Sequence, residues 1–445
     1  MIAMRNFCLT MVVLLSLPLE ALGRVSSFSL DNGMKVVVIE DHRAPVITHM
    51  VWYRAGASDE KLGKSGVAHL LEHLLFKETE NVKNGEFSKT VEAIGGSDNA
   101  FTSQDYTGYF QRVSKDYLEL MMFYESDRMQ NLKVSELDFA TELQVVIEER
   151  SQRTDTNPGA LFNEQNMAAL YLNHPYGIPI VGWRHELDEL KREDVLEFYR
   201  TYYSPNNAIL IVSGDVDPRN VELLANNYYG SLKNKSNLGA RKRPTEPPQI
   251  AQRRIIFEDE RVSQPYITRT YLAKERNAGQ QREAAALTLL ADLIGSDGIQ
   301  SLLGKSLQLD KKVAIYTSAY YGGLSYDETH FSFILAPNSE VSLSEIELEL
   351  DNIIDKFILD GIDESHLERI KFQYKAQQIY SLDSAYSQAR RFGVALTSGL
   401  TVDDVLSWPD LIQDIKPSEI LNAAISLFKK EKSVTGWIRK PAEER

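Results

Sequence analysis

The stretch Ser65-Gly66-Val67-Ala68-His69-Leu70-Leu71-Glu72-His73-Leu74-Leu75-Phe76 decides how the rest of this chain is read. It predicts a helix opening after a Gly-containing turn. Positions four apart share a helix face, so His69 and His73 point the same way. Two imidazoles one turn apart can both reach a single zinc ion. Glu72 falls three residues after His69 and one before His73, at the edge of that face. A carboxylate there can take a proton from a metal-bound water. The bland alternative is a helix with two ordinary histidines and a leucine core face. With 8 His in 445 residues, the H-x-x-E-H order is expected by chance in on the order of 1 in 100 such chains.

The composition is that of a globular protein, 43% hydrophobic and 25% charged, and the length allows two or more domains. A net charge of -14 argues against nucleic acid or an anionic membrane surface as partner. Residues 1–23 have the pattern of a secretory signal peptide: Arg5, an apolar run from Leu9 to Leu19, and small residues at Ala21-Leu22-Gly23. The one cysteine, Cys8, lies inside this segment. A mature chain would then have no thiol to serve as ligand or nucleophile and no disulfide. The expectation is an exported protein, periplasmic in a Gram-negative host and otherwise secreted.

Further along, Phe28 to Glu40 predicts two strands joined tightly at Asn32-Gly33, a pair that tolerates positive φ. Ile47–Arg54, Asn99–Thr102, Tyr106–Val113 and Ala208–Ser213 predict strands; Phe87–Ile94, Asp116–Gln130, Ser135 to beyond Arg150, and Leu187–Tyr203 predict helices. Residues 233–252, rich in Lys, Arg, Asn and Pro and without periodicity, predict a linker. After it the order repeats: strands at Arg254–Phe257, Tyr266–Leu272, Val313–Tyr320 and His330–Leu335, helices at Gln281–Ile294, Leu343–Leu359 and Glu364–Ser381, and a closing strand at Val434–Ile438. The chain therefore predicts two copies of one α+β unit, residues 24–232 and 253–445. The helix of the second copy that matches the His69–His73 helix contains no His, so only the first carries the chemistry.

A hydrolytic zinc site needs a third protein ligand. The helix from Ser135 to Arg150 offers Glu142, Glu148 and Glu149. Glu142 and Glu149, seven apart, share a face, and Glu148 points about 100° away from Glu149. If the Glu142 face looks at the metal, Glu149 is the ligand. Read alone, these residues fit solvated acids on a surface helix at least as well.

Five segments together resemble the pitrilysin/insulinase-like metallopeptidases, in particular the half-length branch that includes the mitochondrial processing peptidase β-subunit. They are Tyr53-Arg54-Ala55-Gly56-Ala57-Ser58-Asp59-Glu60, Ala68 to Phe76 with its inverted zinc-protease order, Gly95-Gly96 before Asn99-Ala100-Phe101-Thr102, Val145-Val146-Ile147-Glu148-Glu149, and His174-Pro175-Tyr176-Gly177. The resemblance implies zinc on His69, His73 and Glu149, with Glu72 as general base and Glu142 as the supporting carboxylate. It implies two homologous α+β domains, each a mainly antiparallel sheet with helices on one face, clamped around a cavity. Unfolded peptides would add as an edge strand in that cavity, along Asn99, Ala100, Phe101 and Thr102. The family's non-catalytic half often supplies an Arg and a Tyr, seven apart, that hold the substrate. Here Tyr316 stands one position off and no Arg occurs between Ser301 and Tyr316. The resemblance therefore implies either that Tyr316 serves alone or that a homologous partner chain, in a heterodimer or homodimer, completes the site. A member of different class would be a non-catalytic scaffold, a role that needs none of His69, Glu72, His73, Glu142 or Glu149.

Overall fold

The computed structural model describes residues 24–236 and 238–441; the signal-peptide expectation for 1–23 lies outside them. The first half contributes strands β1 (Val25–Ser29), β2 (Lys35–Glu40), β3 (Val46–Tyr53), β4 (Ser97–Thr102), β5 (Thr107–Ser114) and β6 (Ala208–Gly214). They form one sheet in the order β1-β2-β6-β3-β5-β4. The second half contributes β7 (Arg253–Glu258), β8 (Tyr266–Ala273), β9 (Ala314–Tyr321), β10 (Thr329–Pro337) and β11 (Ser433–Arg439), in the order β7-β11-β8-β10-β9. The two orders superimpose element for element once β1 is set aside. Each sheet is antiparallel except for one pair, β2 with β6 and β7 with β11. In both sheets that pair joins an early strand to the strand that closes the half.

Helices of each half cover one face of its own sheet. In the first half, Leu70, Leu71 and Leu74 of the helix Val67–Leu74 and Met121 and Met122 of the helix Leu118–Asn131 pack on Val36, Val38 and Val51. The opposite faces are covered by exchange. The helix Ala385–Thr397 of the second half lays Ala389, Phe392 and Leu396 on Val37, Ile39, Trp52 and Ile211 of the first sheet. The helix Pro158–Leu170 of the first half in turn places Phe162 and Leu170 against Ile438 and Val434 of the second. Apolar residues on both sides of β2 explain its unbroken run Val36-Val37-Val38-Ile39. Gly393 makes the exchange possible: a Cβ there would lie 2.0 Å from Cε2 of the buried Trp52.

Two local expectations are corrected. The β1–β2 connection spans Leu30 to Met34 rather than turning on two residues, with Ser29 paired to Lys35 and the Gly33 N–H donating to the Leu30 carbonyl (2.9 Å). The helix predicted over 187–203 is two pieces, Arg184–Leu187 and Arg192–Tyr202, because the Asp194 carboxylate accepts the Lys191 N–H (2.8 Å) and starts a new helix there.

The segment between the halves is irregular, yet it is not a loose spacer. Arg243, its side chain 4% exposed, donates to Asp59 (2.9 Å) and Asp105 (2.6 Å) of the first half and to Asp327 (3.0 Å) of the second. Tyr176 of the His174–Gly177 segment donates its hydroxyl to Asp105 (2.7 Å), and His174 Nε2 meets Asp327 at 3.1 Å. Charge-assisted bonds of this kind, out of water, tie linker and both sheets together.

Candidate metal centre

The helix Val67–Leu74 is anchored at its start. Gly66 lies at φ +90°, and a Cβ there would meet the Val181 carbonyl at 2.6 Å. The buried Glu60 carboxyl accepts the Gly66 and Ala68 N–H groups (3.0 and 2.8 Å), two of the donors a helix leaves unpaired at its N-terminus. Burial pushes that carboxyl well above its ordinary range. Ser65 accepts the Trp183 N–H at 2.8 Å. With the leucine face buried, the His69 and His73 rings stand side by side, 4.9 Å between centroids.

The helix Glu136–Arg150, capped by the Ser135 hydroxyl, brings its acids to these rings. Glu149 Oε2 lies 3.4 Å from His73 Nε2 and 3.8 Å from His69 Nε2. One ligand atom from each of the three residues falls within 4.8 Å of the others. Zinc bonds of about 2.0–2.2 Å in a tetrahedron separate ligand atoms by about 3.3–3.6 Å, so the donor set suits zinc in identity, and the two carboxylate–imidazole distances come close to that span. Burial and the neighbouring His73 push His69 down to about 4, which keeps its imidazole neutral and its lone pair available.

Glu142 Oε2 sits 3.3 Å from His73 Nδ1, the nitrogen away from Glu149, and its other oxygen pairs with Lys77 Nζ at 2.6 Å. Such a contact sets the tautomer and orientation of a ligating imidazole. Glu148 turns aside and accepts only from Gln152 Nε2, at 2.7 Å. Glu72 projects into the same cavity, where burial raises its carboxyl and a hydrogen bond from the Thr102 hydroxyl opposes the rise. The cavity holds about 500 Å³ and is lined by His69, Glu72, His73 and Glu149 on one side and Asn99 to Thr102 on the other.

Strand β4 is an edge: it pairs with β5 alone, from Ser97↔Arg112 to Thr102↔Thr107. Its other edge has no strand partner, although the Ala100 N–H donates to the Asn99 side-chain oxygen (2.8 Å). Thr102 turns to Glu72, whereas Phe101 packs on Trp52 with centroids 4.8 Å apart. Tyr316 lies on β9, the edge strand of the second sheet and the counterpart of β4, and is 52% exposed. It is not among the residues lining the metal cavity. Two contacts escaped sequence reading. Arg153 pairs with the other oxygen of Glu149, four residues before it on the same helical path, a spacing that could have revealed it; Lys77 pairs with Glu142 from the bend that follows the helix Val67–Leu74.

Fold and site together define a two-sheet protein with an inverted His-x-x-Glu-His helix facing a glutamate helix. Comparison with known proteins narrows the class. Residues 35–183 match the profile described as Insulinase (Peptidase family M16), and residues 189–374 match that described as Peptidase M16 inactive domain. The chain is 31% identical over 423 residues to the zinc protease PqqE of Helicobacter pylori, covering 94% of this chain and 93% of that protein. The solved structure of a protease from Helicobacter pylori superimposes with a TM-score of 0.86 at 31% identity, over 94% of this chain and 100% of that one. The periplasmic protease PqqL of Escherichia coli shares the fold, with a TM-score of 0.80 at 17% identity; this chain covers 48% of its length. The protein belongs to peptidase family M16, as a member of about half length. Among the described residues no helix is long and apolar enough to cross a membrane.

Proposed function

We propose that this chain is a zinc-dependent endopeptidase that hydrolyses unfolded peptides. The observation that carries the reading is the convergence of His69, His73 and Glu149 beside Glu72, opposite the free edge of β4. His69 Nε2, His73 Nε2 and Glu149 Oε2 would hold the metal. Zinc bound there supplies Lewis acidity, lowering the pKa of a water and polarising the scissile carbonyl. A peptide pairing with the open edge of β4 is held extended across the cavity, its backbone satisfied by strand addition rather than by sequence-specific contacts. Glu72 Oε2, oriented by the Thr102 hydroxyl, accepts a proton from the attacking water and returns it to the departing amine nitrogen. Partial burial suits the carboxyl to that double duty, because a raised pKa makes it a better base and still lets it release the proton.

The metal set belongs to residues 24–232, and residues 253–445 form the non-catalytic half. The absence of an Arg between Ser301 and Tyr316 supports completion of the site by a homologous partner chain. The leader-like residues 1–23 support export, to the periplasm in a Gram-negative host. Metal analysis of the purified chain tests the reading, with about one zinc per chain expected. Glu72→Gln should retain that zinc and lose about 10²–10⁴-fold in peptide hydrolysis, since an amide accepts no proton. Full activity in this variant, or a metal-free wild type that still hydrolyses peptides, would sink it.

A further inference from the structure

A second cleft, of about 700 Å³, begins at Ser103 and Tyr106, just past the last residue of β4, and runs to the helix Ala385–Thr397. Arg276, Arg390 and Arg391 line it, and no Asp or Glu does. The chain carries 63 acidic residues against 49 basic ones, so an acid-free wall with three arginines runs against its average. Four deeply buried arginine side chains elsewhere have carboxylate partners: Arg128 has Glu125, Arg150 has Glu164, Arg243 has Asp105 and Arg269 has Glu347. Among the described residues, none of the three cleft arginines forms an ion pair.

Their remaining capacity differs. Arg276 is committed, stacked 3.7 Å from the centre of the Trp408 ring and donating to the Asp404 carbonyl at 2.7 Å. Arg391 donates one amino group to Gln378 (2.8 Å), but its buried Nε has no partner. Burial without a counter-charge depresses the Arg391 guanidinium below its ordinary value. Arg390 is exposed and lies 5.5 Å from the centre of the Phe101 ring. Phe101 is also a wall of the metal cavity, so the two clefts meet across one side chain. A desolvated guanidinium with a free donor is costly alone and favourable once an anion arrives.

We propose that this cleft is a specificity subsite for a carboxylate of the substrate peptide, an acidic side chain or the C-terminus, received by Arg390 and Arg391. The peptide runs along β4 past Phe101 and delivers the carboxylate into the basic pocket. The inference rests on the reading of β4 as the substrate-pairing edge. It makes the enzyme selective among unfolded peptides, which strand addition alone would not.

Binding tests it without hydrolysis, using the full chain as Glu72→Gln. The probes are short neutral peptides of Ser, Ala and Leu with a single Glu or Gln walked through successive positions, each prepared with a free or an amidated C-terminus. Calorimetry should show about tenfold tighter binding for Glu than Gln at one position, or for the free over the amidated terminus, and the two arms tell the sources apart. That gain should vanish in Arg391→Gln and shrink in Arg390→Gln. Both variants should keep the parent affinity for the neutral amidated peptide, which excludes misfolding. Equal binding of all charge forms, or a Glu preference that survives both variants, overturns the proposal and leaves the peptidase reading intact. No binding by any peptide overturns the β4 reading and this one with it, while zinc content of the same sample reports on the metal centre separately.

Discussion

Removing the Glu142 carboxylate should weaken zinc binding by an amount the local contacts set. One oxygen faces His73 Nδ1 at 3.3 Å and the other faces Lys77 Nζ at 2.6 Å. Glu142→Gln keeps an acceptor for the imidazole N–H and loses the charge that makes Nε2 a better donor to the metal. Glu142→Ala loses both and leaves His73 Nδ1 and the Lys77 ammonium without their partner. Loss of such an outer contact costs about 10–100-fold in metal affinity, or about 1.4–2.7 kcal/mol. The Gln variant should fall near tenfold and the Ala variant near a hundredfold. Glu148→Gln, whose carboxylate meets only Gln152, should stay within about twofold, as expected of an exposed residue outside the network. Competition with a chromogenic chelator measures all three. Peptide hydrolysis at excess zinc then separates lost metal from lost chemistry, because Glu142→Gln should recover most of its activity and Glu72→Gln none. Wild-type affinity in Glu142→Ala would refute the supporting role. Damage from Glu148→Gln would show that the wrong face of the Glu136–Arg150 helix had been assigned to the metal.

Gly393→Ala should destabilise the chain by about 2 kcal/mol despite alanine's better helix propensity, because its Cβ meets the rigid Trp52 ring and must push the exchanged helix off the first sheet; an unchanged thermal midpoint would refute the packing. His330 is pushed down to about 4 by burial, so between about pH 6.5 and 4 the unfolded chain binds a proton the folded one does not. Stability should therefore fall on acidification across that window by on the order of 2 kcal/mol, and His330→Gln should flatten the slope in urea titrations run at each pH. The purified monomeric chain should hydrolyse peptides far more slowly than the complex isolated from its native source, if a partner supplies the missing Arg. Equal turnover would defeat the partner reading, and Tyr316→Phe would then report whether that exposed tyrosine contributes.

Much of the site was legible because its members are local. His69, Glu72 and His73 lie within two helical turns, and their geometry follows from the 3.6-residue period alone. Glu142 and Glu149 share a face by the same period, so one helix orientation selects both and rejects Glu148. The repeat of strand order was legible too, since most strands of these sheets, such as Val36–Ile39 and Ala208–Val212, carry their own apolar pattern. The helices Pro158–Leu170 and Ala385–Thr397 were not. Each covers the sheet of the other half, Phe392 and Leu396 lying on Trp52 and Ile211, and Phe162 and Leu170 on Ile438 and Val434, so nothing local in sequence marks what they pack on.

The sequence by itself determined the H-x-x-E-H spacing of one helix, the two-copy plan and the helical face that Glu142 and Glu149 share. Tertiary structure decided everything that depends on distance between elements. It brought Glu149 to 3.4 Å from His73 Nε2, set Thr102 against Glu72, and turned a linker arginine, Arg243, into a tie among Asp59, Asp105 and Asp327. It also brought Arg390 over Phe101, some 290 residues away in sequence, with Arg391 lining the same cleft. The physical reason is that helical and strand periods are short-range properties of the backbone. Which helix covers which sheet is instead settled by burial summed over whole faces, and no local pattern records that sum.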